Sequence, residues 1–335
     1  MKKLKVSTPA GLLAVFAHTL GMTPVESFVL VTVQGGRVGA TLRVNIPTNG
    51  PAAGFVRTVV DYLLNDKEAD GTILAVYTNT DGGQPHREYV EALEYELLAA
   101  GMPVREALLV GPAGWRSYFD TDAAVTALGS ITDSEANTEM VFAGSNPEAG
   151  KAQDREFTGA PGNAATITRI ASGLRDVDGL DFGAPVMIEA RAAWTDALGT
   201  VPDTAVACQL VAYLQNVGLR DRVIADFINT DDEEYGAVLI GETSTRPTWA
   251  RVDQGQALLV ELLAQTPDRF RAPLYTMLGH ISWYKGRSTT AVQYLDKALT
   301  ATPGYRLAEL LKRMIDLGFL PEVVKNKANA YPGAS

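Results

Sequence analysis

The stretch SFVLVTVQGGRVGATLRVNIP, 27–47, constrains the fold more than any other part of the chain. Two runs rich in apolar and β-branched residues flank Gly35-Gly36, and a glycine pair supplies the positive φ that a tight hairpin turn needs. The spacing predicts an antiparallel hairpin. Its first run, 28–33, is apolar at consecutive positions, as in a strand covered on both faces. The second alternates Val38, Ala40, Leu42, Val44 and Ile46 with Thr41, Arg43 and Asn45, the pattern of a strand with one wet face.

Downstream, helical spacing at 52–64 is followed by the buried-strand run GTILAVY, a helix over 85–100 stopped by Gly101, and a further strand in REALLVG. The order ββαβαβ predicts an α/β fold with a mixed sheet, in which parallel βαβ crossovers join the N-terminal hairpin. TEMVFAG reads as one more strand. Ahead of the hairpin, MKKLKVSTPAGLLAVFAHTLG mimics a secretory leader, but Thr8-Pro9 and Gly21 are helix start and stop signals and favour a surface helix. Leu12, Leu13, Phe16, Ala17 and Leu20 fall on one side of that helix, and His18 on the other side is expected to be solvated.

The region 144–184 is rich in Gly, Asp, Ala and Asn and reads as a linker or long loop. It divides the chain into an α/β domain over 1–143 and a mainly helical domain over 185–335, with helical spacing at 185–198, 204–215 and 219–228. Near 272–303 the pattern fits one tetratricopeptide-like hairpin, with Leu278, Gly279, Ala291, Leu295, Ala298 and Pro303 in register. Ser282 stands where a large aromatic is usual and no second copy follows, so a solenoid is not expected.

Charge and motif content narrow the function classes. A net charge of -10 and a pI near 4.9 argue against nucleic acid as a partner, since phosphate binding rests on Lys and Arg. No apolar run approaches the roughly 20 residues of a membrane span. Cys208 is the only cysteine, so an internal disulfide and a thiolate metal cage are both excluded, and a reducing cytoplasm fits. His18, His86 and His280 are scattered, which speaks against a metal centre. Neither G-x-S-x-G nor G-x-G-x-x-G occurs, so no cofactor is expected and enzymatic activity stays open. SNPEAGKA, 145–152, has Ser145 and Ala152 where a phosphate loop needs glycine and a hydroxyl. The acidic run 231–234 lacks calcium-loop spacing and reads as a surface turn.

In an open α/β sheet, ligands bind beyond the carboxyl ends of the strands. Three stretches are expected there, 43–49, 78–86 and 111–118. They offer Arg43, Asn45, Asn79, Asp81, His86, Trp115, Arg116, Ser117 and Tyr118, a set able to hold a small polar or anionic ligand. Asp81 and His86 could form an acid–base pair. The competing reading is that the polar loop YTNTDGGQPHREY, 77–89, only turns the chain and that Trp115 packs beneath it.

The segments LLAVFAHTLGMTPVESFVLV, GGRVGATLRVNIP, GWRSY and PLYTMLGHISWYKGRSTTAVQYLDKALTATPGYRLAELL resemble the actinobacterial domain-of-unknown-function family 4192 over nearly the whole length, most weakly across 121–250. The resemblance implies a cytoplasmic accessory protein of an actinobacterium or its phage and brings no established activity. Where many members carry a carboxylate, this chain has Asn45, and the paired cysteines common after the W-S-Y segment are missing beyond Tyr118. The leading expectation is a non-catalytic protein-interaction or binding module that uses the helical C-terminal domain. The alternative is a small-ligand binder or enzyme of unknown chemistry at the strand-end loops. Oligomeric state is not readable from the sequence.

Overall fold

The computed structural model of the chain describes residue 6 and residues 8–47, 51–80, 83–143, 145, 152–174, 181–326 and 328–332. The chain divides into two compact units, the first comprising 1–151 with 316–318 and 333–335, the second 152–315 with 319–332.

In the first unit, α1 (Pro9–Leu20) precedes the hairpin of β1 (Ser27–Gln34) and β2 (Arg37–Asn45). Next come α2 (Ala52–Leu63), β3 (Gly71–Tyr77), α3 (Arg87–Ala99), β4 (Val104–Gly111) and β5 (Gly114–Ser117), then α4 (Gly129–Thr132) and α5 (Glu135–Phe142). The strands form one sheet in the order β2-β1-β3-β4-β5. The expected mixed sheet is present, with β3 and β4 parallel and the other pairs antiparallel. Gly35 and Gly36 turn the hairpin with φ of 55° and 88°, angles that glycine adopts without steric cost.

Alternation along the central strands builds two cores. Phe28, Leu30, Leu74, Val76 and Leu109 face α2 and α3 and meet Val56, Val59, Leu93 and Leu97. Val29, Val31, Ala75, Leu108 and Val110 face the other way, onto Leu13 and Phe16 of α1. This double covering is why β1 is apolar at successive positions; each such side chain contributes roughly 1.5–3 kcal/mol by leaving water. The helix signals at its ends hold for α1, with Thr8 Oγ1 accepting from the Gly11 N–H and Gly21 closing the helix at φ 68°.

The β1–β2 register slips between Val31 and Val33, leaving an extra residue on β2. The bulge is held by Asp66, which accepts from the Thr32 hydroxyl and, at 2.7 Å, from Gln34 Nε2. Burial would raise the Asp66 pKa, but these bonds and the N–H groups of Ala40 and Glu68 hold it below the ordinary value. A Cβ at Gly39 would lie 2.4 Å from Thr32 Oγ1 and 2.6 Å from Asp66 Oδ2, so the bulge has room only for glycine there.

Two local expectations are corrected. TEMVFAG is not a strand; most of it lies in α5, whose start is capped by Ser134 Oγ accepting from the Asn137 N–H at 3.2 Å. His18 is not solvated. It is buried, with Nδ1 2.9 Å from Ser145 Oγ and Nε2 2.9 Å from Asn137 Oδ1. α5 packs against α1, and it and Ser145 just beyond it supply partners more than a hundred residues away in sequence.

The second unit is helical, with α6 (Asn163–Gly173), α7 (Pro185–Ala197), α8 (Thr204–Tyr213), α9 (Val217–Ile228), α10 (Tyr235–Ile240), α11 (Trp249–Gln265), α12 (Ala272–Tyr284), α13 (Ser288–Ala301), α14 (Arg306–Asp316) and α15 (Glu322–Lys325). The composition-poor stretch 144–184 contains α6, which inserts Ile167 fully into this core. Every residue of α12 is buried. A Cβ at Gly279 would meet Leu295 at 3.0 Å and the Ala291 carbonyl at 3.3 Å, so the small residue is what lets α12 and α13 pack closely. Among the described residues no helix is long and apolar enough to cross a membrane.

Candidate functional site

Register places one end of each of the five strands on one rim of the sheet. Ser27 pairs with both Asn45 and Tyr77, Tyr77 with Val110, and Val110 with Trp115. The start of β1, the ends of β2, β3 and β4 and the start of β5 therefore lie side by side. The described parts of the three stretches expected at the strand ends share this rim, although 111–118 is largely a hairpin arm, β5, rather than an open loop.

Side-chain alternation then divides the candidates between opposite faces. Trp115 packs on the α1 side with Val110 and Leu108, and its Nε1 donates to Ser130 Oγ at 2.9 Å. Arg43 pairs with Val29, a residue of that same side. Its guanidinium donates to the Val25 carbonyl at 3.1 Å, and burial lowers its pKa to about 10 against the opposing influence of Asp316. Asn45 Nδ2 donates to Asp316 Oδ1 at 3.2 Å within the first unit. Tyr118 is buried on the α2–α3 side, donates from its hydroxyl to the Pro85 carbonyl at 2.8 Å, and has its pKa pushed up to about 12, chiefly by burial. Arg116 pairs with Leu109 of that side, donates to the carbonyl of Gly83, and reaches the Asp120 carbonyl at 3.1 Å. Ser117 Oγ accepts weakly from the Asp120 N–H at 3.4 Å. Asp81 lies outside the described residues.

One polar cluster does assemble on the rim, and its centre is Thr78. The Thr78 hydroxyl donates to the Glu26 carboxylate at 3.1 and 3.3 Å, accepts from the Thr80 N–H at 3.1 Å and lies 3.2 Å from His86 Nε2. A carboxylate only accepts, so the single hydroxyl proton goes to Glu26 and the His86 Nε2–H donates to the hydroxyl oxygen. Asn79 joins through its backbone, whose N–H donates to Glu26 Oε1 at 2.5 Å, while its side chain is exposed. The His86 ring stands edge-on to Phe28 at 6.2 Å between centroids.

Glu26 and His86 have φ of 42° and 61°, and they alone among the described non-glycine residues have positive φ. Such a backbone is disfavoured by roughly 1–3 kcal/mol per residue and persists where surrounding bonds over-determine it. Sequence reasoning found His86 but missed Glu26, because a lone carboxylate in TPVESF carries no motif and its conformation has no compositional mark. This arrangement fixes the loop after β3 and presents a carboxylate, a hydroxyl and an imidazole together.

The second unit holds a different arrangement. Residues 152–159 have no regular structure and lie across α11, α12 and α13. The Ala152 N–H donates to Gln293 Oε1 at 2.9 Å and the Gln153 N–H to the Tyr294 hydroxyl at 2.8 Å. The Asp154 carboxylate accepts from the Tyr275 hydroxyl and Lys297 Nζ, each at 2.7 Å. Arg155 pairs with Glu261 at 2.5 Å, and the N–H groups of Thr158 and Gly159 donate to the Ala264 carbonyl at 2.8 and 3.0 Å. Although burial would raise the Asp154 pKa, the bonds from Lys297 and Tyr275 hold it below the ordinary carboxylate value. Beside the end of this segment opens a recess of about 450 Å³, lined in part by Gly159, Asp203, Glu261 and Gln265.

Elsewhere the acidic run 231–234 is tied into the fold through Asp232, whose Oδ1 accepts from Arg191 Nη1 at 2.9 Å. The phosphate-loop near miss at 145–152 lies mostly outside the described residues. Among the described residues no three His, Cys, Asp or Glu side chains are grouped as a metal ion would require. A family model described as Domain of unknown function (DUF4192) matches residues 9–322. No curated protein and no solved structure matches the chain.

Proposed function

We propose a non-catalytic binding role for this chain, which belongs to the family described as Domain of unknown function (DUF4192). The second unit carries the role, by holding an extended peptide along α11, α12 and α13. The observation behind this reading is the capture of two main-chain N–H groups, those of Ala152 and Gln153, by the side chains of Gln293 and Tyr294. Side chains that bond a main chain select for an extended conformation irrespective of sequence, and the Tyr275–Lys297 pair adds a preference for a carboxylate. The α12–α13 pair is read as tetratricopeptide-like and as the main wall of this face. The acidic charge and the single buried Cys208 fit work in a reducing cytoplasm.

The alternative, a ligand site on the strand-end rim, has less support. Among the described candidates Arg43 and Trp115 lie on one face of the sheet and Arg116 and Tyr118 on the other, and the polar groups around Thr78 bond to one another. The test is an NMR titration of the isotope-labelled Asp154→Ala chain, in which the chain's own segment loses its bonds to Tyr275 and Lys297, with a synthetic AQDREFTG peptide, 152–159, in excess. Shifts confined to the surroundings of Tyr275, Gln293, Tyr294 and Lys297 are expected. Shifts confined to Thr78 and His86, or none at all, would reject the reading.

A further inference from the structure

We propose that residues 152–159 are a built-in competitor, occupying from within the chain a face that otherwise takes an extended, carboxylate-bearing peptide from a partner protein. The inference rests on the peptide-holding role just described and adds its regulation: the partner docks only when the segment leaves.

Three observations carry it. First, the segment is attached as a ligand would be. Gln153, Asp154, Arg155 and Glu156 are exposed, and the segment's first half is held by side chains of α12 and α13 rather than by a backbone ladder. Such a segment opens at far lower free energy than α12, whose every residue is buried. Second, the contacts are chemically complementary and specific in position. Lys297 and Tyr275 converge on one carboxylate, and Glu261 meets the following guanidinium. A peptide in trans with an acidic residue preceded by two free N–H groups reproduces the same bonds. Third, the segment starts the second unit and is covalently tied to it. Tethering gives it an effective concentration on the order of millimolar, enough to exclude weak ligands and yield to strong ones.

The experiment uses the full-length chain and a fluorescent AQDREFTG peptide, read by anisotropy. Asp154→Ala removes the two charge-assisted bonds that hold the segment and leaves the face intact, so it is expected to bind the peptide about tenfold more tightly than the unaltered chain. Asp154→Ala combined with Lys297→Ala is expected to lose that gain. Equal binding by the unaltered chain and Asp154→Ala would overturn the competitor role while leaving the peptide face standing. No binding to either, or a gain indifferent to Lys297, would overturn the face itself and the competitor with it. A second measurement stands if Asp154→Ala fails to fold. In the unaltered chain the Ala152 and Gln153 amides are expected to exchange with deuterium on the order of a hundredfold faster than those of α12. Equal protection of the segment and the helix would show that the segment does not leave, and would end the proposal.

Discussion

Glu26 and His86, sixty residues apart in the chain, both adopt left-handed backbone and both meet the same hydroxyl, that of Thr78. Their strain and their hydrogen bonds are one structure. Thr78→Val removes a donor to Glu26 and the acceptor for Thr80 and His86, leaving the half-buried carboxylate with the Asn79 N–H as its remaining donor. A loss on the order of 1–3 kcal/mol is expected, read as a lower melting temperature. Thr78→Ser, which keeps the hydroxyl, should recover most of it; equal losses in the two variants would show that the methyl packing of Thr78 matters instead.

Gly114 is expected to tolerate no side chain. Its φ is 149°, and a Cβ there would lie 2.2 Å from the Thr126 carbonyl oxygen. That carbonyl accepts from the Trp115 N–H at 2.8 Å, so the clash and the bridge share an atom. Gly114→Ala should detach 126 from β5 and shift Trp115 fluorescence to longer wavelength, with a stability loss of roughly 1–3 kcal/mol.

Arg222 is completely buried against the adjoining rings of Phe182 and Tyr235, whose centroids lie 5.0 and 5.4 Å from its guanidinium. Asp226 compensates its charge and also pairs with Arg191 at 2.9 Å. Asp226→Asn leaves the desolvated guanidinium with only the more distant Asp232 carboxylate, at 3.4 Å, and a loss of about 3 kcal/mol is expected in urea unfolding. The double variant Arg222→Leu/Asp226→Leu should lose less than Asp226→Asn alone.

Burial depresses the His280 pKa to about 4, against smaller opposing contributions from the backbone at Leu239 and Val238. The unfolded ring takes up a proton near its ordinary pKa of about 6.5, whereas the folded ring stays neutral until about pH 4. In that window the unfolded state binds more protons, so stability falls as pH falls from about 6.5 towards 4. His280→Gln should flatten that slope relative to the unaltered chain in melts across the window. An unchanged slope would assign the acid sensitivity to other groups.

Local signals carried most of the α/β half. Gly35-Gly36, the continuous apolar run of β1 and the Thr8 and Gly21 caps each act within a few residues, and each has its structural counterpart. What was not legible depended on distant partners. β5 is four residues long, too short for alternation to register, and exists because β4 offers it an edge. The Met140-Val141-Phe142 triplet looks like strand, but the Ser134 cap and the contact with α1 make it helical. His18 looked solvated until Asn137 and Ser145 closed over it. Of the candidate site, the shared rim was legible from topology, while the division of Arg43 and Trp115 from His86 and Tyr118 required the strand register. Glu26 required a backbone angle, and the segment at 152–159 required the helices it crosses.

The bulge opposite Thr32 bears on how the protein behaves when concentrated. Among the described residues β2 ends the sheet, with no strand on its outer side, and a flat outer strand is a template on which another chain can add itself. The extra residue on β2, the bare backbone of Gly39 and the inward-pointing Asp66 carboxylate break the even spacing of N–H and C=O groups that such growth needs. The pin that shapes the hairpin thereby also makes this edge a poor template for a strand from another chain.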